Sequence, residues 1–504
     1  WSVVITITSG VNNSAVINAG GGTLYVTVDK GGGTPLSGVK TKIYNSSGSY
    51  LGIYQTTDES GTAQFSLPEG SYKVRADYLG GQFWTDEAIV TGDQSLGITI
   101  PHQDVVITVQ GLYQDEILPV EGIKAYLYTS SGSYLCKYDI TNAEGNVVFN
   151  LPEQPFKVRV THLGQQFWSD EFIWRNTAIN IPMADAVITV SGAGDFLEGA
   201  KVYVYSEEGS SLCNYGTTNE NGMVTFRLPV GVYNFRAYYL GNEYWSGIQT
   251  LIVDQSVSIP IDTGGGTFVL TVLKGSSEPI PGLTCCLYSE AGSYLGRYIK
   301  TDSEGQASFK LPDGSFKFKV HYLGSQFWSD VYDIPETLAG AVTIPHKDVV
   351  ITVQGIYQGA AEPIPDIKAY LYSPSGSCLG IYGITNAEGR TTFSLPEVSF
   401  KVCSYYLGNK YRSDNFTWQD TTISIPYGKA IVHVTKNNSD VQDAKVYLLS
   451  EEGSCLGKYD ITDSSGMVEF IIPSGSYKFK AYSAGILKYS DIAALVADQM
   501  TPVN

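Results

Sequence analysis

The sequence contains no apolar run approaching the ~20 residues that a membrane-spanning helix requires. It is also poor in basic charge, with 32 Lys and Arg against 50 Asp and Glu and a formal net charge of −18. Phosphate backbones are bound by clustered Lys and Arg, so this balance argues against a nucleic-acid partner and for a self-repelling surface. Cysteine is sparse and irregular. Cys136 and Cys213 follow a loop Leu, Cys378 and Cys455 precede that site, Cys285 and Cys286 share one strand, and Cys403 lies in another. A disulfide framework would place pairs at recurring positions, and the absence of any C-x-x-C removes the usual zinc and redox readings. The seven read as small fillers or loop residues. Of five His, His102 and His346 fall in linkers, His162 and His321 precede hairpins, and His433 lies in a strand. None has a Ser, Cys or carboxylate at a motif spacing, so no catalytic centre and no cofactor are expected. A helical hydrophobic period of useful length is missing as well.

What is present is turn and strand material: 54 Gly, 36 Tyr and 43% hydrophobic residues over 504 positions. That profile predicts an all-β chain, and the length exceeds what one core serves. A stretch of about fifty residues, clearest from Gly122 to Asp170, returns six times, which is read as a tandem array of six Ig-like or prealbumin-like β-sandwich domains. The repeats are 23–101, 104–182, 185–261, 267–345, 348–426 and 429–504. Their loop glycines, Gly48, Gly132, Gly209, Gly292, Gly376 and Gly453, are 84, 77, 83, 84 and 77 residues apart. A second order follows at an offset of 244: DVVITVQG recurs at 104 and 348, Tyr126 matches Tyr370, and Glu208 matches Glu452. Residues 23–266 and 267–504 are thus two copies of a three-domain super-repeat. In the same alignment Trp1-Ser2 matches Trp245-Ser246, so 1–22 is expected to be the last strands of a preceding or partner-completed repeat, the chain being a slice of a longer one.

Within a repeat the period is two. Ile123, Ala125 and Leu127 are expected inward with Lys124, Tyr126 and Tyr128 outward, and Ala200, Val202 and Val204 inward against Lys201, Tyr203 and Tyr205. Turns such as Asn142-Ala143-Glu144-Gly145 place Asx first and Gly last. A strand with an inward Phe follows (Phe65, Phe149, Phe226, Phe309, Phe393, Phe470), closed by Pro. The Leu79-Gly80-Gly81 hairpin fits a type II′ turn. About seven strands in roughly 78 residues is the signature of a two-sheet sandwich. Links such as Pro182-Met183-Ala184-Asp185 leave only two residues between repeats and should be stiff, whereas Gly20, Gly21, Gly22 and Gly264, Gly265, Gly266 are expected to be compliant hinges between triplets.

Segments of the form GIKAYLYTSSG…TNAEGNVVFNLPEQPFKVR resemble the collagen-adhesin B-type repeat and the related carboxypeptidase regulatory-like domain, both prealbumin-like sandwiches of bacterial surface proteins. The resemblance covers nearly the whole chain and implies stalks, pilins and adhesins at the cell surface or outside it. Many such modules carry a Lys–Asn isopeptide bond. Here DVVITVQG lacks a first-strand Lys, Lys30, Lys274 and Lys436 have no consistent Asn partner, and only Lys436 with Asn504 would be worth inspecting.

Two groups of side chains are candidates for contact with a partner. Trp84, Trp168, Trp245 and Trp328 end a hairpin and either pack within or between domains or present aromatics to a sugar or protein. Lys73, Arg75, Lys157, Arg159, Arg236, Lys317, Lys319, Lys401, Lys478 and Lys480 share one outward strand face. That strip serves either as edge protection or as a lateral contact with acidic loops such as Glu207-Glu208 and Glu451-Glu452 of a neighbouring chain. A calcium site on the turns would need several carboxylates, and the Asn142 turn supplies one. The reading is a non-enzymatic structural protein of an extracellular fibre, filament or adhesin shaft that self-associates. The alternative is a multivalent carbohydrate- or protein-binding adhesin using exposed Tyr and Trp.

Overall fold

In the computed structural model, which describes residues 4–504, every regular element is a β-strand. Trp1 and Ser2, aligned above with Trp245 and Ser246, lie outside these residues. Residues 4–21 form no strand. The chain divides into two compact bodies, one running up to Ser191 with Asp195–Asp262, the other made of Gly192–Gly194 and Thr263–Asn504.

The second repeat illustrates the sandwich. His102–Tyr113 is the central strand of its first sheet. Asn146–Pro152 joins it antiparallel, Asn146 opposite Thr108 and Pro152 opposite His102, and Thr177–Gly192 joins it parallel on the other side, Thr177 opposite Ile107. The second sheet has the order Tyr134–Ile140, Lys124–Thr129, Phe156–His162, Gln165–Trp168, all antiparallel. Alternation on the strands supplies the core between the sheets: Val105, Ile107 and Val109 meet Ala125, Leu127, Val158 and Val160 around Phe149. The six Phe named above are all buried.

Thr177–Gly192 does not stop where the second repeat ends. Up to Pro182 it is the last strand of that repeat, and from Met183 it is the first strand of the next, paired with Met223–Pro229 and Ser256–Asp262. Thr421–His433 does the same for the fifth and sixth repeats. At these two boundaries the two link residues, Met183-Ala184 and Tyr427-Gly428, stay extended and the strand runs on across the repeat boundary. The Leu-Gly hairpins complete these joints. Leu79 and Leu135, Leu163 and Leu212, Leu323 and Leu379, and Leu407 and Leu456 all pack against the core of the later repeat.

Two local expectations are corrected. The hairpin turns have φ of +46° to +48° at Leu79, Leu163, Leu240, Leu323, Leu407 and Ala484, and positive φ at the Gly that follows. Left-handed conformation at both central residues makes them type I′, whose twist matches that of the flanking strands, rather than type II′. Tyr128 and Tyr205, expected outward, do lie on the outer face but are only 7% and 9% exposed. Each is covered by the Trp of the neighbouring hairpin, a neighbour that alternation along one strand does not reveal.

Candidate functional site

The outer face of each second sheet gathers both candidate groups. Strand register aligns one residue from each of four strands into a row. In the second repeat the row is Tyr138, Tyr126, Arg159 and Trp168. In the first it is Tyr54, Lys42, Arg75 and Trp84, and in the third Tyr215, Tyr203, Arg236 and Trp245. The fourth has Tyr298, Cys286, Lys319 and Trp328. The fifth and sixth keep the Tyr but replace Trp by Arg412 and Tyr489. Lys73, Lys157, Lys317, Lys401 and Lys478 stand one row along, and Lys480 holds the Arg position of the sixth repeat. The strand carrying the basic strip is paired on both sides in every repeat, so the strip does not protect an edge.

The four Trp retain 43–45% exposure. Ring centroids lie 4.7 Å apart for Trp84 and Tyr44, 4.8 Å for Trp168 and Tyr128, 4.9 Å for Trp245 and Tyr205, and 4.7 Å for Trp328 and Tyr288. The cation of the row completes each cluster: the guanidinium carbon is 5.6 Å from the Trp ring at Arg75 and Arg236 and 5.7 Å at Arg159, and Lys319 Nζ is 5.5 Å from Trp328. Tilted ring pairs and stacked cations are worth about 0.5–1.5 kcal/mol apiece beyond area burial, enough to hold the rings in place. The result is a cationic and aromatic surface on an otherwise acidic chain.

Residues 24–76 match the family model described as the SpaA prealbumin-like fold domain. The first repeat is a prealbumin-like domain. The other five repeats keep its strand order, so the chain is a tandem array of prealbumin-like β-sandwiches. Among solved structures, the Bacillus anthracis TIE protein is similar at 15% identity and TM-score 0.18, over 77% of this chain and 68% of that one. GBS52, the minor pilin of Streptococcus agalactiae, is similar at 14% and 0.21, over 32% and 94%. Two B repeat units of the Staphylococcus aureus collagen binding protein are similar at 13% and 0.17, over 64% and 99%. No curated protein matches the sequence.

The remaining expected sites of these prealbumin-like repeats are placed as follows. Lys30 donates to Asn150 Oδ1 at 2.9 Å, tying the first repeat to the second. Lys274 pairs with Glu278 at 3.1 Å, and Lys436 is exposed in a short hairpin. Gly21 and Gly265 have positive φ and lie so close to the carbonyls of Leu67 and Leu311 that a Cβ has no room. All seven cysteines are free. Burial pushes the Cys285 thiol up to about 12. Burial also raises Cys286, against the pull of Lys319, so this half-buried residue is held in the thiol form.

Sequence reasoning missed one recurring residue. The Thr opening each T-[D/N]-x-x-G turn (Thr57, Thr141, Thr218, Thr301, Thr385, Thr462) is buried. Its hydroxyl donates to a carbonyl 21 residues back and accepts from an N–H 18 residues back, as Thr141 does with Val120 at 2.6 Å and Ile123 at 2.9 Å. Its signal in the sequence was six-fold recurrence beside a turn that Asx and Gly already explained.

Proposed function

We propose that this chain is a non-enzymatic structural component of an extracellular or cell-surface fibre, filament or adhesin shaft. The observation that carries the reading is the strand that passes unbroken from one sandwich into the next, at Thr177–Gly192 and Thr421–His433. Such a joint transmits force through a backbone ladder rather than a linker. The first and last strands of each repeat are parallel neighbours, as in His102–Tyr113 with Thr177–Gly192, so tension along the chain shears a whole ladder at once. Repetition of a sandwich builds length with each repeat touching mainly its neighbours. Copies associate laterally in this reading, the basic strip meeting acidic loops such as Glu207-Glu208; association that survives 1 M salt unchanged would count against the charge pairing, since screening is nearly complete there at a Debye length of about 3 Å. Electron microscopy of native material tests the reading as a whole. A continuous fibre with a period of three domains is expected, and discrete short particles would overturn it.

The half-exposed Trp rings favour a second role, multivalent binding of a glycan or protein on the outer sheet faces. Loss of glycan-array signal on replacing Trp84, Trp168, Trp245 and Trp328 is the expected outcome.

A further inference from the structure

We infer that the outer face of the second repeat, centred on Arg159, binds a carboxylate-bearing saccharide of the oligouronate class. The inference rests on the second reading above, that these faces meet an external ligand, and assigns the chemistry of one of them.

The site is a row across four strands, spanning roughly 14 Å at ~4.8 Å per strand gap. Tyr138 is 52% exposed at one end and Trp168 43% at the other. Between them the Arg159 guanidinium carbon lies 5.6 Å from the Tyr126 ring, 5.1 Å from Tyr128 and 5.7 Å from Trp168. Lys124 Nζ lies 5.0 Å from the Tyr138 ring and Lys157 stands opposite Tyr128 in the next row.

What sets this face apart is the missing acid. In the first repeat Asp77 takes Arg75 at 2.7 Å and also pairs with Lys42. In the third, Glu243 takes Arg236 at 2.9 Å. The corresponding positions of the second repeat hold Thr161 and Gln166. Arg159 forms no ion pair among the described residues; its Nε, like that of Arg236, is buried without a hydrogen-bond partner, so the distinction lies in the missing carboxylate. A partly desolvated guanidinium lacking a carboxylate is out of character in a chain with 50 acidic residues, and a carboxylate supplied from outside is its natural complement because the planar fork grips one in two-point fashion. The fourth and sixth repeats offer Lys319 and Lys480 here, point charges without that fork, and the fifth has Cys403.

The surroundings favour a sugar over a peptide. Extended peptides add to a free sheet edge, but Lys124–Thr129 and Phe156–His162, which form the middle of the face, are paired on both sides. Flat ring faces held by a rigid sheet suit the C–H face of a pyranose, with its carboxylate on Arg159.

Isothermal titration of the full chain with trigalacturonate tests the assignment, with its methyl ester and hexaglutamate as controls. Binding of trigalacturonate alone is expected, weakened by salt. Arg159→Gln and Thr161→Asp should each weaken it on the order of ten-fold; the second variant only copies the acid that the first repeat already accommodates, so it keeps the fold. Glu243→Gln should free Arg236 and add a second site. Wild-type affinity in both Arg159→Gln and Thr161→Asp would overturn the Arg159 assignment while leaving aromatic glycan binding standing. Equal binding of hexaglutamate would make an acidic peptide, such as another copy's loop, the occupant and overturn the sugar. No binding of any saccharide by the wild type would sink both.

Discussion

At the scale of single residues, the buried Thr of each turn is the most demanding choice in the repeat. Thr141 satisfies the Val120 carbonyl and the Ile123 N–H together, fastening the loop between the sheets to the turn. Thr141→Val keeps the volume but leaves both groups unpaired, at a cost of about 2–3 kcal/mol to the second repeat. Hydrogen exchange of peptides spanning 118–124 should accelerate in that variant and stay slow in Thr141→Ser; unchanged exchange in Thr141→Val would refute the role. Residues of this kind were the least legible in the sequence. Ala125 and Leu127 announce themselves by alternation because the strand itself sets their side. Thr141 depends on partners 18 and 21 residues away, and Tyr128 on a Trp from another strand, relations that exist only after the sheets form. The Trp and the basic strip were visible as separate lists, and only register joins them into one face.

At the scale of the element, the His102–Tyr113 strand begins inside a joint. His102 Nδ1–H donates to the Ile100 carbonyl at 2.7 Å, and its ring sits 5.5 Å from Tyr78. His346 repeats this with Ile344 at 2.8 Å and Tyr322 at 5.5 Å. Burial holds both below the ordinary His range; the carbonyl bond opposes it, and nearby lysines, Lys30 and Lys137 or Lys274, add to it, with Glu278 opposing at His346. Burial lowers His162 as well. A depressed folded-state value means that the unfolded chain takes up protons first. The stability these groups contribute is therefore complete above about pH 6.5 and is lost as pH falls from there. Asp77 and Asp185 are depressed too, but their window opens only near pH 4. Thermal melts should show two separate acid losses, and replacing His102, His162 and His346 by Gln should flatten the first while sparing the second. A first loss that persists in the triple variant would place its origin elsewhere.

At the scale of the whole molecule, the question is what joins one triplet to the next. The sequence Asp262-Thr263-Gly264-Gly265-Gly266 reads as a compliant tether. Within the second body, however, the Asp313 N–H donates to the Thr263 carbonyl at 2.9 Å, and Gly265, at φ +93°, lies against Leu311 and Pro312 with no space for a Cβ. The same bend occurs at Gly20–Gly22, where the Glu69 N–H donates to the Ala19 carbonyl at 3.1 Å and Gly21 faces Leu67. These glycines answer two requirements that no other residue meets, positive φ and close backbone approach. A tether and a packed bend differ in their response to one methyl group. Gly265→Ala is expected to destabilise the fourth repeat on the order of 2–4 kcal/mol, combining left-handed strain with a collision against backbone. Gly275→Ala, at φ +59° in open space, supplies the control for strain alone at about 1–2 kcal/mol. Thermal unfolding of the full chain, with hydrogen exchange to locate the loss, separates the cases: equal effects of the two substitutions would return Gly264–Gly266 to a free tether, whereas a larger loss at Gly265 makes these glycines a packed part of the fourth repeat.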